Sequence, residues 1–64
     1  MEKTKPKLKL IGEDGNAFSI LGRARRALRR ADYTEEQIEQ YAQEAMSGDY
    51  NNLLITTSEW FDVE

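Results

Sequence analysis

The chain has 64 residues, of which 39% are hydrophobic and 33% are charged, and its formal net charge is -3 at pH 7. This length allows one small domain, 1–64, with a thin core, and the composition is typical of a folded domain rather than a disordered or membrane-spanning chain. Cysteine and histidine are absent from the sequence, which excludes disulfides, thiolate chemistry and the usual zinc ligands.

The N-terminal residues 1–6 are polar and predict a flexible start. They lack the apolar stretch of a signal peptide, and no apolar run in the sequence approaches the roughly 20 residues that span a bilayer. We therefore expect a cytoplasmic protein that does not insert into a membrane.

Charge is divided unequally along the chain. Residues 1–30 hold all nine basic side chains and three acids, a charge of +6, whereas residues 31–64 hold nine acids and no base, a charge of -9. Such asymmetry indicates an anionic partner for the first half or a basic partner for the second. Alternatively, the two halves pack together and neutralise each other.

Residues 7–11, Lys-Leu-Lys-Leu-Ile, alternate polar and apolar side chains, which predicts a half-buried strand. Its outward lysines are a common protection for an edge strand. The next five residues, Gly-Glu-Asp-Gly-Asn, have turn chemistry and could close a hairpin onto residues 17–21. The apolar residues between Ala17 and Ala31 instead follow helical spacing, which favours a helix over 17–31 that Asn16 caps.

Thr34 and Gln37 have the spacing of a capping box, which predicts a second helix over 35–47 that ends at Ser47-Gly48. This helix carries an acidic outer face. Its predicted buried residues are Ile38, Tyr41, Ala42, Ala45 and Met46.

Asp49 is a suitable cap for a third helix over 50–60, although the Leu-Leu-Ile-Thr-Thr run also has strand propensity. The helix leaves Ile55 on its polar side and places these residues on its apolar side: Tyr50, Leu53, Leu54, Thr57, Trp60 and Phe61. Residues 61–64 can form a short strand beside 7–11. Together the elements predict an α+β fold, a small three-helix domain with an N-terminal strand that a short C-terminal strand joins.

The first helix carries a second group of residues away from its apolar side. An aromatic ring can stack on a base, a glycine allows close backbone approach, and arginines match phosphate oxygens. The group therefore predicts a site for a nucleotide or nucleic acid, and its members are Phe18, Gly22, Arg25, Arg26 and Arg29. In the alternative interpretation, the phenyl ring packs on the loop or strand, the glycine lets another element pass close, and the arginines pair with the acidic second half.

The Gly-Glu-Asp-Gly-Asn loop precedes a helix N-terminus, as phosphate-binding loops do, but it lacks their lysine and serine or threonine and contains two carboxylates. It is also too short to supply all the ligands of a calcium ion. The sequence contains no recognisable pair of nucleophile and base. We therefore expect no enzymatic activity, no catalytic residue, no cofactor and no metal.

The run from Lys9 to Phe18, with Leu21-Gly22-Arg23 and Ala27-Leu28-Arg29, resembles that of a family of short, functionally uncharacterised bacterial and phage proteins that share a GEDGNAF…LGR…ALR core. Ser47-Gly48-Asp49-Tyr50 and Trp60-Phe61 extend the resemblance over most of the chain. It implies a compact domain of bacterial or phage origin and carries over no catalytic residue. A phage origin would imply a counter-defence role, either sequestering a nucleotide signal or blocking a host protein.

The expected function is that of a small binding or regulatory protein, acting as a homo-oligomer, whose first helix binds an anionic partner through its arginine face. The alternative is an acidic inhibitor or adaptor that binds a basic protein surface through the second half of the chain.

Overall fold

The structure, a computed structural model, describes residues 5–10, 12 and 15–64. Within them lie three helices and two short strands, in the order β1 (Lys7–Leu8), α1 (Ala17–Arg30), α2 (Glu35–Ala45), α3 (Tyr50–Trp60) and β2 (Asp62–Val63). The predicted α+β fold is confirmed. The predictions for residues 1–4 of the flexible start, for the last residue of the strand over 7–11 and for the two loop carboxylates lie outside the described residues.

β1 and β2 form a parallel pair that joins the two ends of the chain, with Lys7 opposite Asp62. The Asp62 amide donates to the Pro6 carbonyl at 2.8 Å, and the Glu64 amide donates to the Leu8 carbonyl at 2.9 Å. Parallel neighbours require a crossover connection, which the helices supply here. The pairing holds β1 beside α1, so that the strand lysines lie close to the helix arginines.

The helices begin at the predicted caps. Asn16 accepts a hydrogen bond from an α1 amide at 2.9 Å, and Asp49 accepts one from an α3 amide at 3.0 Å. Thr34 and Gln37 form the capping box, with reciprocal bonds of 3.1 and 2.9 Å. These side chains satisfy amides that have no partner within the helix, which explains why each helix begins where it does.

α1 ends in a Schellman turn around Asp32, whose φ of 67° lies in the left-handed region. The Asp32 amide donates to the Arg29 carbonyl at 3.1 Å, and the Tyr33 amide donates to the Leu28 carbonyl at 3.0 Å. Aspartate adopts this conformation more readily than most residues other than glycine. The turn brings the start of α2 beside the end of α1.

α2 ends at Ala45, two residues before the predicted 47. The Glu44 carbonyl accepts hydrogen bonds from the Ser47 hydroxyl at 2.8 Å and from the Asn52 side chain at 2.9 Å, so side chains satisfy the end of the helix. Met46 therefore follows the helix, and its side chain is 61% exposed. The prediction that Met46 is buried is wrong.

The core lies where the three helices meet beneath β1, and Tyr41 is at its centre. The Tyr41 ring contacts the rings of Trp60 and Phe61, each in an edge-on arrangement with centroids 5.6 Å apart. Thr57 is also fully buried, as its helical position predicts, whereas Ile55 is 58% exposed. Within the part of the chain that the structure describes, no helix is long and apolar enough to cross a membrane.

A buried hydrogen-bond chain connects α2 to α3. The Thr57 hydroxyl donates to the Leu53 carbonyl at 2.7 Å, so the Tyr41 phenol, also at 2.7 Å, donates to the Thr57 oxygen.

We expect Thr57→Val to lower the free energy of unfolding by about 1–3 kcal/mol, because it leaves the buried Tyr41 hydroxyl without its acceptor. Tyr41→Phe should cost about 0.5–1.5 kcal/mol, since Thr57 keeps its bond to the Leu53 carbonyl. The loss in the double variant should be smaller than the sum of the two. Urea unfolding of the four proteins measures these differences, and additive losses would contradict the coupling.

Stability should also fall at alkaline pH. Burial raises the pKa of the Tyr41 phenol. The unfolded chain therefore releases the Tyr41 proton at a lower pH than the folded chain. The contribution of the Tyr41 phenol to the free energy of unfolding is complete below about pH 10 and declines above it. Urea unfolding between about pH 8 and pH 11 should show a steeper decline for the native chain than for Tyr41→Phe. Equal declines would contradict the assignment to Tyr41.

Candidate functional site

α1 presents three different sides. Its buried side faces the core through Ile20, Leu21, Ala24 and Leu28. At 100° per residue, the other positions of α1 form two further stripes. Around the helix axis, the buried side and the two stripes are separated from one another by about 100–140°. The first, which we call the basic stripe, contains Arg23, Arg26 and Arg30. The second, the Phe18 stripe, contains Phe18, Gly22, Arg25 and Arg29.

The residues predicted as one site are thus divided between two flanks of the helix. Arg26 belongs to the basic stripe and lines a cleft there, whereas Phe18 lines a different hollow. Phe18 and Arg26 thus line different surfaces of α1, and their joint role in one ligand site stays a prediction.

The arginines of the Phe18 stripe contact the acidic half of the chain. Arg29 donates two hydrogen bonds to the Glu35 carboxylate, at 3.1 and 3.2 Å. Arg25 lies 3.8 Å from the Glu39 carboxylate. Both pairs are exposed, so they stabilise the fold little, but they do neutralise the arginines. This part of the alternative interpretation agrees with the structure.

The Arg29 pair changes the proton affinity of both partners. The hydrogen bond from Arg29 is the main cause that lowers the pKa of the Glu35 carboxyl, and the same bond raises the pKa of the Arg29 guanidinium. Both groups therefore stay charged at neutral pH.

Phe18 and Gly22 are open to solvent. The Phe18 side chain is 78% exposed, so it does not pack on the loop or the strand. A Cβ added at Gly22 would meet nothing within 4 Å among the described residues, so this glycine does not serve close packing within the chain. Both residues remain accessible to a partner.

A basic cleft lies between β1 and α1. It has a volume of about 280 Å³, and among the described residues its charged lining consists of five cations and no acid: Lys7, Lys9, Arg23, Arg26 and Arg30. Leu8 and Ala27 form its floor. Like charges held together repel one another and create a positive potential, so the cleft has the electrostatics of an anion site.

Four of the five cations of the basic cleft, all except Arg26, were not among the predicted site residues, although the sequence contains a signal for them. Arg23, Arg26 and Arg30 have i, i+3, i+7 spacing, which places them on one flank of a helix. Lys7 and Lys9 alternate with a buried leucine, which places both on one side of the strand. What the sequence did not show is that these two sides face each other.

An apolar hollow of about 240 Å³ lies at the N-terminal end of α1, against the turn between α2 and α3. Apolar residues line most of it, including Ala17, Phe18, Leu21, Met46, Tyr50 and Leu53. Tyr50, expected on the apolar side of α3, is 47% exposed, because its hydroxyl donates to the Gly15 carbonyl at 2.6 Å and so reaches the loop before α1. Asp49, the cap of α3, contributes a carboxylate to the lining.

The basic cleft offers charge and hydrogen-bond donors. Among the residues that the structure describes, its lining contains no hydroxyl, thiol or carboxylate. In the same part of the chain, no group of three or more acidic side chains could hold a metal ion. This arrangement is suited to binding an anion.

No protein-family model matches the chain, and neither a curated protein nor a solved structure matches it. The resemblance to short bacterial and phage proteins therefore stays a prediction, and the interpretation of the site depends on its geometry.

Proposed function

We propose that this protein is a non-enzymatic binding protein that holds the phosphate backbone of a nucleic acid in the basic cleft. The observation that carries the proposal is the composition of the cleft, where five cations and no acid are brought together among the described residues. Phosphate oxygens are the acceptors that arginine forks match best, and lysine adds a mobile point charge.

The length of the basic stripe favours a run of phosphates over a single one. Arg23 and Arg30 are seven residues apart, which corresponds to about 10.5 Å along the helix axis. Successive nucleotides of one strand in a duplex rise about 3.4 Å, so the stripe spans about three of them. A nucleic-acid strand can therefore engage more of these cations than a mononucleotide can.

The same lining argues against recognition of bases. Bases are recognised by stacking on aromatic rings or through hydrogen bonds to side-chain amides, carboxylates and arginine forks. Among the described lining residues the arginines are the only such groups, and the proposal assigns their forks to phosphates. There is no aromatic ring, amide or carboxylate among them, and the exposed Phe18 lies on the other flank of α1. Binding should depend on charge and salt, with little preference for sequence.

To test the proposal, labelled duplex and single-stranded oligonucleotides are titrated at two or more salt concentrations. Three to five phosphate contacts should give a slope of log K against log salt of about -3 to -4.5 for a duplex and about -2 to -3.5 for a single strand. Arg26→Gln/Arg30→Gln should weaken binding at least about 10-fold and flatten this slope. Inorganic polyphosphate should compete.

The matched control is Arg25→Gln/Arg29→Gln, which removes the same charge from the other flank of α1, where both arginines already contact glutamates. In titrations at less than about 10 µM protein, where each chain binds as a monomer, it should retain most of the binding. Equal losses in the two double variants, or binding that ignores salt, would contradict the role of the cleft.

A second candidate function is binding of a basic protein through the acidic half. It is favoured by the exposed outer face of α2, which includes Glu36 and Glu44, and by the exposed Ile55 on α3. Charge complementarity of this kind raises association rates and selects partners.

If this second function holds, Glu36→Lys/Glu44→Lys should release a basic partner in pull-downs from host lysate, and Arg26→Gln/Arg30→Gln should not. Identical pull-downs from the native and the glutamate variant would count against it. Mass spectrometry of the bound fractions provides the comparison.

A further inference from the structure

The apolar hollow is unexplained by phosphate binding, because the basic cleft lies on the other flank of α1. Phe18, Met46 and Tyr50 around it are 78%, 61% and 47% exposed. Large apolar side chains that stand exposed next to one another usually mark an interaction surface. The question is which molecule covers them.

The hollow and the ring beside it have matching sizes. A closed cavity of about 150 Å³ is known to hold benzene, so a hollow of about 240 Å³ has room for a phenyl ring. The ring of Phe18 projects from the wall of this hollow. A protruding side chain next to a hollow is self-complementary under a two-fold rotation, since the ring of each copy then fills the hollow of the other.

We infer that a second copy of this chain occupies the apolar hollow, in a two-fold dimer in which each copy inserts its Phe18 ring into the hollow of the other. This inference goes beyond phosphate binding and does not depend on it.

The charges around the hollow support a second copy as its occupant. Arg25 follows Phe18 by two turns, about 10.5 Å along α1, and Gly22 between them leaves the backbone bare and open. The hollow itself carries the exposed carboxylate of Asp49. A copy that lays its Phe18 stripe across the hollow therefore brings a cation towards an acid. The existing contact of Arg25 with Glu39, exposed and 3.8 Å long, is weak enough to exchange.

The positions of the two sites also permit this dimer. The basic cleft and the Phe18 stripe are on opposite flanks of α1, so the cationic clefts of two copies do not meet in such an interface. An inserted aromatic side chain buries about 150–250 Å², against roughly 800 Å² per partner in a standard interface, on a chain whose whole accessible surface is 4572 Å². The association should therefore be weak and visible only at high protein concentration.

Sedimentation equilibrium from about 10 µM to 1 mM tests the inference, with a dimer expected to accumulate towards the upper end. Phe18→Ala should raise the dimer dissociation constant at least about 10-fold, as truncation of an aromatic anchor does. Ile55→Ala is the matched control, because it removes a similarly exposed apolar side chain, 58% exposed, from α3. It should leave the dissociation constant unchanged.

Two further variants keep the test independent of folding. In Gly22→Gln, the added Cβ has no neighbour within 4 Å among the described residues, and glutamine has a higher helix propensity than glycine, so the fold should be kept. The longer side chain should nevertheless weaken the dimer, because it blocks the close approach of the second copy. Asp49→Asn keeps the capping oxygen of α3 and removes the charge, so it should weaken the dimer about 2- to 5-fold at low salt. Circular dichroism confirms that each variant is folded. A chain that stays monomeric up to about 1 mM overturns the inference, as does a dimer that loses the same affinity in Ile55→Ala as in Phe18→Ala.

Discussion

The buried side of α1 determines what the rest of that helix can do. Ile20, Leu21, Ala24 and Leu28 are almost fully buried, so the rotation of the helix about its own axis is fixed by packing. β1 then lies along one flank and α2 along the other. Each arginine acquires its surroundings from this rotation, since a turn of one residue, about 100°, would move one stripe to the place of the other and turn the second towards the core.

The opposite charges of the two halves are neutralised only in part. Arg25 and Arg29 contact glutamates of α2, because the turn at Asp32 folds the acidic helix back along that flank. The other flank is occupied by β1 and the residue after it, which bring Lys7 and Lys9 to the basic stripe. The fold thus gathers five cations along this flank among the described residues. This concentration of positive charge is the property that the proposed phosphate binding uses.

Local chemistry predicted the fold well, because its signals lie within a few residues of each other. Thr34 and Gln37 define the start of α2, and Asn16 and Asp49 define the starts of the other helices, whatever the rest of the chain does. The prediction that Met46 is buried was wrong because α2 ends at Ala45, where the Glu44 carbonyl accepts hydrogen bonds from Ser47 and from Asn52, a residue of the next helix. A contact between two elements leaves no periodicity in either of them.

The site was predicted less completely for the same reason. Helical spacing alone identified a polar side of α1, but it could not show that this side is divided between two neighbours. Phe18, Gly22 and Arg26 were grouped because their angular positions are similar, and the approach of β1 and α2 from opposite directions separates them. Lys7 of β1 and Lys9 just after it are held in place by the pairing of β1 with β2 at the far end of the chain. The sequence predicted that pairing, with residues 61–64 beside 7–11, but it did not show along which flank of α1 the paired strands lie.

The separation of the two surfaces has a consequence for affinity. A cleft that contacts about three phosphates binds weakly at moderate salt, because each contact contributes mainly through counterion release. In the proposed dimer the clefts stay on the outer flanks of the two α1 helices, where one polyanion can reach both. The second contact is then intramolecular, with an effective concentration set by the strand between them, so avidity can exceed the affinity of either cleft by about 10²- to 10⁴-fold. A small domain has little surface for a larger phosphate-binding cleft. In the proposed dimer, the exposed Phe18 beside the apolar hollow raises the affinity for a polyanion without a larger cleft.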